Sequence, residues 1–288
     1  MTRLLELRAG ELSAQIAPAV GGSVARFDWR DQPLLRPAPA DADDVLAMGC
    51  FPLVPYANRI RNGRFRCNGR EIVLQPNMAG DPSPLHGQGW LAGWEVADVD
   101  DQAVTLTYRH EPDEWPWAYD AQQRIELDRT GLSITLSCRN RSAEPMPAGL
   151  ALHPYYPCDA DTLIDASVTH AWTVDEKVLP VERVPAEGRF SLHQRAICGQ
   201  GLDNGFEGWD GGALIHWGKE VSLELTSPDA TRMQIFSPPD GKFFAGEPVQ
   251  NANCALNEPE ERWAALGITV LREGETLFHR ARFEVITR

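Results

Sequence analysis

The residues of this chain best suited to chemistry fall in separate polar clusters, each beside an apolar run or a glycine. Glu247 follows Phe243-Phe244-Ala245-Gly246 and precedes Pro248. A carboxylate carried into an apolar pocket is desolvated and becomes a stronger base. His153 ends the apolar run Leu150-Ala151-Leu152 and precedes Pro154, which biases its backbone toward extended geometry. A strand end of that kind is a rigid mount for an acid or a base. His86 lies in the loop Leu85-His86-Gly87-Gln88-Gly89, ahead of Trp90 and Trp94. The glycines give that backbone freedom to approach a ligand, and aromatic rings can stack on the apolar face of a pyranose. Asn58 and Arg59 stand between a Pro-rich approach and Gly63. Fixed guanidinium donors beside a carboxamide that both donates and accepts suit sugar hydroxyls. Asp203 and Asn204 lie between Gly201 and Phe206. Each cluster has a plainer reading: an Asn turn with a surface Arg, a locally bonded loop His, a core His, an Asx turn, a strand-ending Gly-Glu-Pro.

The elements that must carry these residues are short. The chain has 24 Gly and 22 Pro, spaced every few residues, which leaves little room for long helices. Between them run alternating patterns. Ile125 and Leu127 precede the Asp128–Gly131 turn, and Leu132, Ile134 and Leu136 follow it; apolar residues at every second position on both arms predict a half-buried hairpin. Asn68-Gly69, flanked by Phe65, Cys67, Ile72 and Leu74, predicts a second hairpin with a tight turn. Val104–Tyr108, Val221–Leu225 and Met233–Phe236 read as further strands, and Gly267–Leu271 with Thr276–Val285 as a closing pair. One brief helix is expected over 258–266, capped by Asn257 and with Pro259 in its first turn. The expected fold is all-β, one domain over 1–288 of many antiparallel strands, with sandwich and barrel both open on pattern alone.

Composition narrows the partners. The formal net charge is −14, with no Lys/Arg run, which disfavours nucleic acid and anionic membrane surfaces. Glu6 and Glu11 interrupt the apolar positions of the N-terminus, so no signal-peptide core is read there, and no later stretch has transmembrane length. Cys50, Cys67, Cys138, Cys158, Cys198 and Cys254 lack C-x-x-C spacing. They are expected to be reduced, mostly buried thiols, with a cytoplasmic location as the default.

Taken in chain order, Asn58-Arg59-Ile60 with Gly63 and Phe65, Leu85-His86-Gly87, His153-Pro154-Tyr155, Asp203-Asn204 and Glu247-Pro248 resemble the aldose 1-epimerase (galactose mutarotase-like) family. The resemblance spans nearly the whole chain. It implies a large antiparallel β-sandwich with a wide cleft across one sheet, and an enzyme that interconverts the α and β anomers of a free aldose. It assigns Glu247 as the base for the C1 hydroxyl, His153 as the acid for the ring oxygen, and His86 as a second histidine near it. Arg59, Asp203 and Asn58 become sugar ligands. Leu152 and Tyr156 depart from the usual Asn and Phe, which bears on whether galactose is the natural sugar.

Opening a hemiacetal removes the O1 proton while O5 gains one, so two groups of complementary protonation are needed and no metal or organic cofactor. Burial is expected to raise Glu247, and carboxylates such as Asp203 to raise His153. The implied partner is a small-molecule sugar; monomer and homodimer both stay open. Three rivals remain: a hexose-6-phosphate epimerase using Arg59, Arg61 and Arg64 for the phosphate, a non-catalytic carbohydrate-binding protein, and a glycosidase casting Asp203 and Glu247 as its carboxylate pair.

Overall fold

A computed structural model of the chain describes residues 4–218 and 221–287. Two antiparallel sheets of eleven and nine strands stack on a shared apolar layer, so the fold is a sandwich. The eleven-stranded sheet runs from Leu5–Ala9 at one edge through Ser23–Trp29, Cys50–Leu53, Ala151–Pro157, Phe243–Val249, Arg232–Ser237 and Leu202–Glu207 to His170–Val174 and Pro180–Pro185 at the other. The nine-stranded sheet is centred on Thr276–Thr287 and Gly131–Asn140.

Period-two patterning produces this layer. Tyr119–Leu127 and Gly131–Asn140 pair with Ile125 opposite Ile134 and Leu127 opposite Leu132. Their inward positions are buried and the alternate ones are not. Each Leu, Ile or Phe so buried contributes about 1.5–3 kcal/mol, which a one-residue slip of register would forfeit along the whole strand. The turn is held by Asp128, whose Oδ1 accepts the Thr130 and Gly131 amides at 2.7 and 3.0 Å. The second hairpin pairs Cys67 with Arg70 across Asn68 (φ 52°) and Gly69 (φ 75°), the doubly positive turn that Asn-Gly favours.

Three expectations are corrected. Residues 255–266 form separate 3₁₀ turns, Ala255–Asn257, Glu260–Arg262 and Ala264–Leu266, and no α-helix. Asn257 caps nothing there; its Oδ1 accepts the Arg61 amide at 2.7 Å and its Nδ2 donates to the Arg64 carbonyl at 2.8 Å. Thr269–Leu271 and Thr276–Thr287 do not pair with each other. The first pairs with Met146–Ala148, the second lies between Gly131–Asn140 and Val221–Thr226. Cys158 and Cys198 are joined as a disulfide, their Cα atoms 5.6 Å apart; Cys50, Cys67, Cys138 and Cys254 are the buried free thiols expected.

His279 sits opposite Leu136 in the apolar layer, fully buried, with neither ring nitrogen bonded among the described residues. Burial pulls it down to about 4, outweighing the opposing pull of Asp229. A folded pKa below the unfolded value of about 6.5 favours the neutral ring in the fold. Its stability is therefore present above pH 6.5 and is lost as pH falls toward 4. Urea unfolding of the wild type and of His279→Leu at pH 7 and 4.5 should differ by about 2 kcal/mol in pH dependence, with the variant flatter. Equal pH dependence in both would remove His279 as the source.

Candidate active site

The site is built on the face of the eleven-stranded sheet turned away from the core layer. A second, smaller apolar cluster covers that face, including Phe51, Leu53, Trp90, Ala151, Tyr155, Ala245 and Val249. Strand alternation sends Leu152 and Tyr156 into the core layer and His153 and Tyr155 to the opposite face. Register then decides who meets whom. His153 pairs with Phe51 on one side. On the other, Ala151 opposite Val249 and Tyr155 opposite Ala245 set His153 across from Glu247. Gln234 pairs with Glu247, and Gly205 with Gln234. One row across the sheet thus reads Phe51, His153, Glu247, Gln234, Gly205.

In that row His153 Nε2 lies 3.3 Å from Glu247 Oε1. The Phe51 and Tyr155 rings flank the imidazole, both with centroids at 4.6 Å. Glu247 is 2% exposed, and its Oε2 has no hydrogen-bond partner among the described residues. Desolvation by burial raises the Glu247 carboxyl well above its ordinary range, Asp203 adds to this, and Arg59 opposes it. His153 moves the other way: burial lowers it to about 3, and the Arg36 charge contributes to the lowering. The expected upward shift of His153 is therefore reversed, because loss of hydration is the largest influence on the ring and outweighs the backbone hydrogen bond that opposes it. Both shifts favour the uncharged forms of the two groups.

His86 enters from the loop side. Its ring is edge-on to His153 at 5.6 Å and to Trp90 at 5.5 Å. Its Nδ1 accepts the Asn58 amide at 3.2 Å, while its own amide donates to the Asn58 carbonyl at 3.1 Å. That bond makes Nδ1 an acceptor, so Nε2 carries the proton of the neutral ring. Burial and the neighbouring His153 hold His86 well below its usual range, so it stays neutral near pH 7. Gly87 (φ 69°) makes the approach possible, since a Cβ there would collide with the Val54 carbonyl.

Arg59 donates from Nε to Asp81 Oδ2 at 2.7 Å, with both side chains nearly buried. Its terminal nitrogens, and the Asn58 carboxamide, make no bonds among the described residues. Asp203, also raised by burial, accepts from Gln234 Nε2 at 2.8 Å. It stands on a strand, not in the alternative Asx turn, while Asn204 points to the other face and donates to the Trp172 carbonyl. Glu247 likewise lies within a strand rather than in a closing loop. Of the three arginines offered for a phosphate, Arg59 holds Asp81 and exposed Arg64 pairs with Glu71, while Arg61 has no carboxylate partner among the described residues. No group of three metal-binding side chains occurs among the described residues.

Several site residues gave no signal in the sequence. Gln234 and Phe51 belong to the central row, and Asp81 fixes Arg59; each is an ordinary residue until register or loop closure places it. The Asn58–Arg61 segment is held by asparagines that follow the Glu247 strand. Asn251 brackets Ala57 with bonds of 3.0 and 2.9 Å, Asn253 accepts the Arg59 amide at 3.1 Å, and Asn257 holds Arg61. Their spacing after Glu247-Pro248-Val249 was the readable clue.

The aldose 1-epimerase family model matches residues 3–284. The chain belongs to the aldose 1-epimerase family. It is 36% identical over 253 residues to the uncharacterized protein YphB of Escherichia coli K12, covering 83% of this chain and 86% of that one. It is 24% identical to the aldose 1-epimerase of Escherichia coli K12, covering 92% and 81%. Among solved structures, a galactose mutarotase-like protein from Clostridium acetobutylicum superposes with a TM-score of 0.88 at 20% identity, covering 99% and 95%. Leu152 and Tyr156, which depart from the family pattern, are fully buried in the core layer, on the opposite face of their strand from His153.

Proposed function

We propose that this protein is an aldose 1-epimerase acting on a free aldose, through Glu247 and His153 as a pair that shares one proton. The contact of 3.3 Å between His153 Nε2 and Glu247 Oε1, with the His86 ring edge-on to His153, carries the reading. Two hydrogen-bonding atoms that close can straddle the two oxygens on one hemiacetal carbon. One member takes the O1 proton as the C1–O5 bond breaks and C1=O1 forms, while the other gives its proton to O5. The open aldehyde turns about C1–C2. Closure on the other face returns a proton to O1 and regenerates the pair.

The reversed His153 shift fits this scheme, because the requirement is one proton in the pair and not its residence on a given member. His86 Nε2–H, Asn58, Arg59 and Asp203 supply donors and acceptors for the remaining hydroxyls. We further propose that residues 1–288 act as one domain, since both sheets share one core.

Polarimetry or NMR of freshly dissolved α-glucose and α-galactose should show equilibration faster than the spontaneous rate, in proportion to protein added. A panel with glucose 6-phosphate should show preference for the unphosphorylated sugar, as expected where Arg59 and Arg64 are already paired. Equilibration at the spontaneous rate for every sugar would end the proposal.

A further inference from the structure

His86 is presented to the pair by an uncommon backbone. It takes φ 64° and Gly87 takes φ 69°, two left-handed residues in succession. Glycine does this freely. A residue with a Cβ does so at a cost and stays there only where its surroundings over-determine it. Two supports come from the segment 54–58: the His86 amide and Nδ1 both bond the Asn58 backbone, and the Val54 carbonyl accepts the Gln88 and Gly89 amides at 3.2 and 3.1 Å. The third is a side chain, Asn77. Its Oδ1 accepts the Leu85 amide at 2.9 Å, and its Nδ2 donates to the Leu85 carbonyl at 2.7 Å and to the Gly87 carbonyl at 3.3 Å. One carboxamide thus grips the residue before His86 and the residue after it.

Asn77 is not itself placed to hold the sugar. A carboxamide nitrogen has two hydrogens, and both are engaged by Leu85 and Gly87. With Tyr56, Gln88 and Leu91, Asn77 lines a separate cavity of about 240 Å³, to which His86, His153 and Glu247 do not contribute. Whatever Asn77 does for the chemistry it does through the loop. The Gly87 carbonyl also accepts Trp90 Nε1 at 3.1 Å, so the indole that stands edge-on to His86 and the Asn77 carboxamide share one acceptor. Without the three Asn77 bonds the left-handed pair loses the only side chain that spans it among the described residues. Relaxation of His86 to an ordinary φ would turn its ring and part Nδ1 from the Asn58 amide.

We propose that Asn77 is a positioning residue for the reaction: by bridging Leu85 and Gly87 it holds the His86 imidazole edge-on to His153, with Nε2–H available to the sugar. The inference rests on the epimerase reading of the site. Asn77→Ala should lower kcat for anomer exchange by roughly 10- to 100-fold, since a misplacement of about 1 Å can cost about 10²-fold, and change KM less. Asn77→Asp is the sharper variant. It keeps the shape and the acceptor but has no hydrogens for the two carbonyls, so it should be as slow as Asn77→Ala. In a His86→Asn background either change should cost no more than about twofold further, because the group it positions is gone. A wild-type rate in both variants, or the same loss with and without His86, overturns the proposal and spares the epimerase. Should Asn77→Ala not fold, Asn77→Asp in both backgrounds carries the same test. If the wild type turns over no sugar, the epimerase reading fails and the His86 ring decides the role of Asn77 separately. Ring ¹⁵N spectra, with His86 assigned by its loss in His86→Asn, should show the Nε2–H tautomer alone in the wild type and a mixture in the Asn77 variants. One unchanged tautomer throughout overturns the positioning.

Discussion

Glu247→Gln is expected to slow anomer exchange by roughly two to four orders of magnitude, the usual reach of a general acid–base group, while leaving the fold at least as stable. The amide nearly matches the carboxyl in shape and can still hydrogen-bond near His153, but it cannot take or return the shared proton. The stability half of the expectation follows from linkage. Glu247 is raised in the folded state because its charged form is desolvated. A raised carboxyl costs stability as pH climbs above the unfolded value, since the unfolded chain ionises freely and the fold resists. Gln removes that cost at neutral pH. Kinetics by NMR exchange and a thermal melt at pH 7 test both halves. Exchange at the wild-type rate would take Glu247 out of the mechanism.

His153→Asn should lower kcat by a comparable factor, roughly 10²–10⁴, and change KM less. Asn keeps a polar group beneath the sugar but supplies no group that exchanges a proton with Glu247. The two residues act on one proton, so the double variant Glu247→Gln with His153→Asn should be little slower than either single one. Multiplying effects would mean that the residues work independently. A loss confined to affinity would make His153 a sugar ligand only.

Much of this architecture was legible locally. The Asn68-Gly69 hairpin and the alternation around Asp128 follow from positive φ at a two-residue turn and from a side-chain period of two, and each is set within a few residues of chain. The five candidate clusters were legible because a polar residue in an apolar or glycine-rich setting is unusual wherever the chain takes it. The 3₁₀ turns at 255–266 were not. Trp263 is buried there and donates from Nε1 to the Glu258 carbonyl at 2.9 Å, and Gly267 (φ 83°) stops the segment; packing of one indole overrides a capping pattern. Nor could spacing pair Cys158 with Cys198, because their approach depends on where the ends of two loops are brought.

By itself the sequence determined the all-β class, the outward turn of alternate residues, and which side chains were available for proton transfer. Tertiary structure decided their company. Register across strands remote in sequence put His153 beside Glu247 and Gln234 beside Asp203, and set Gly205 in the same row. It also set the direction of both shifts, since the burial that is their largest cause is a property of the folded sheet and not of either residue. Periodicity sets which face a residue occupies; pairing, a long-range balance of buried area and ladder bonds, sets its neighbour.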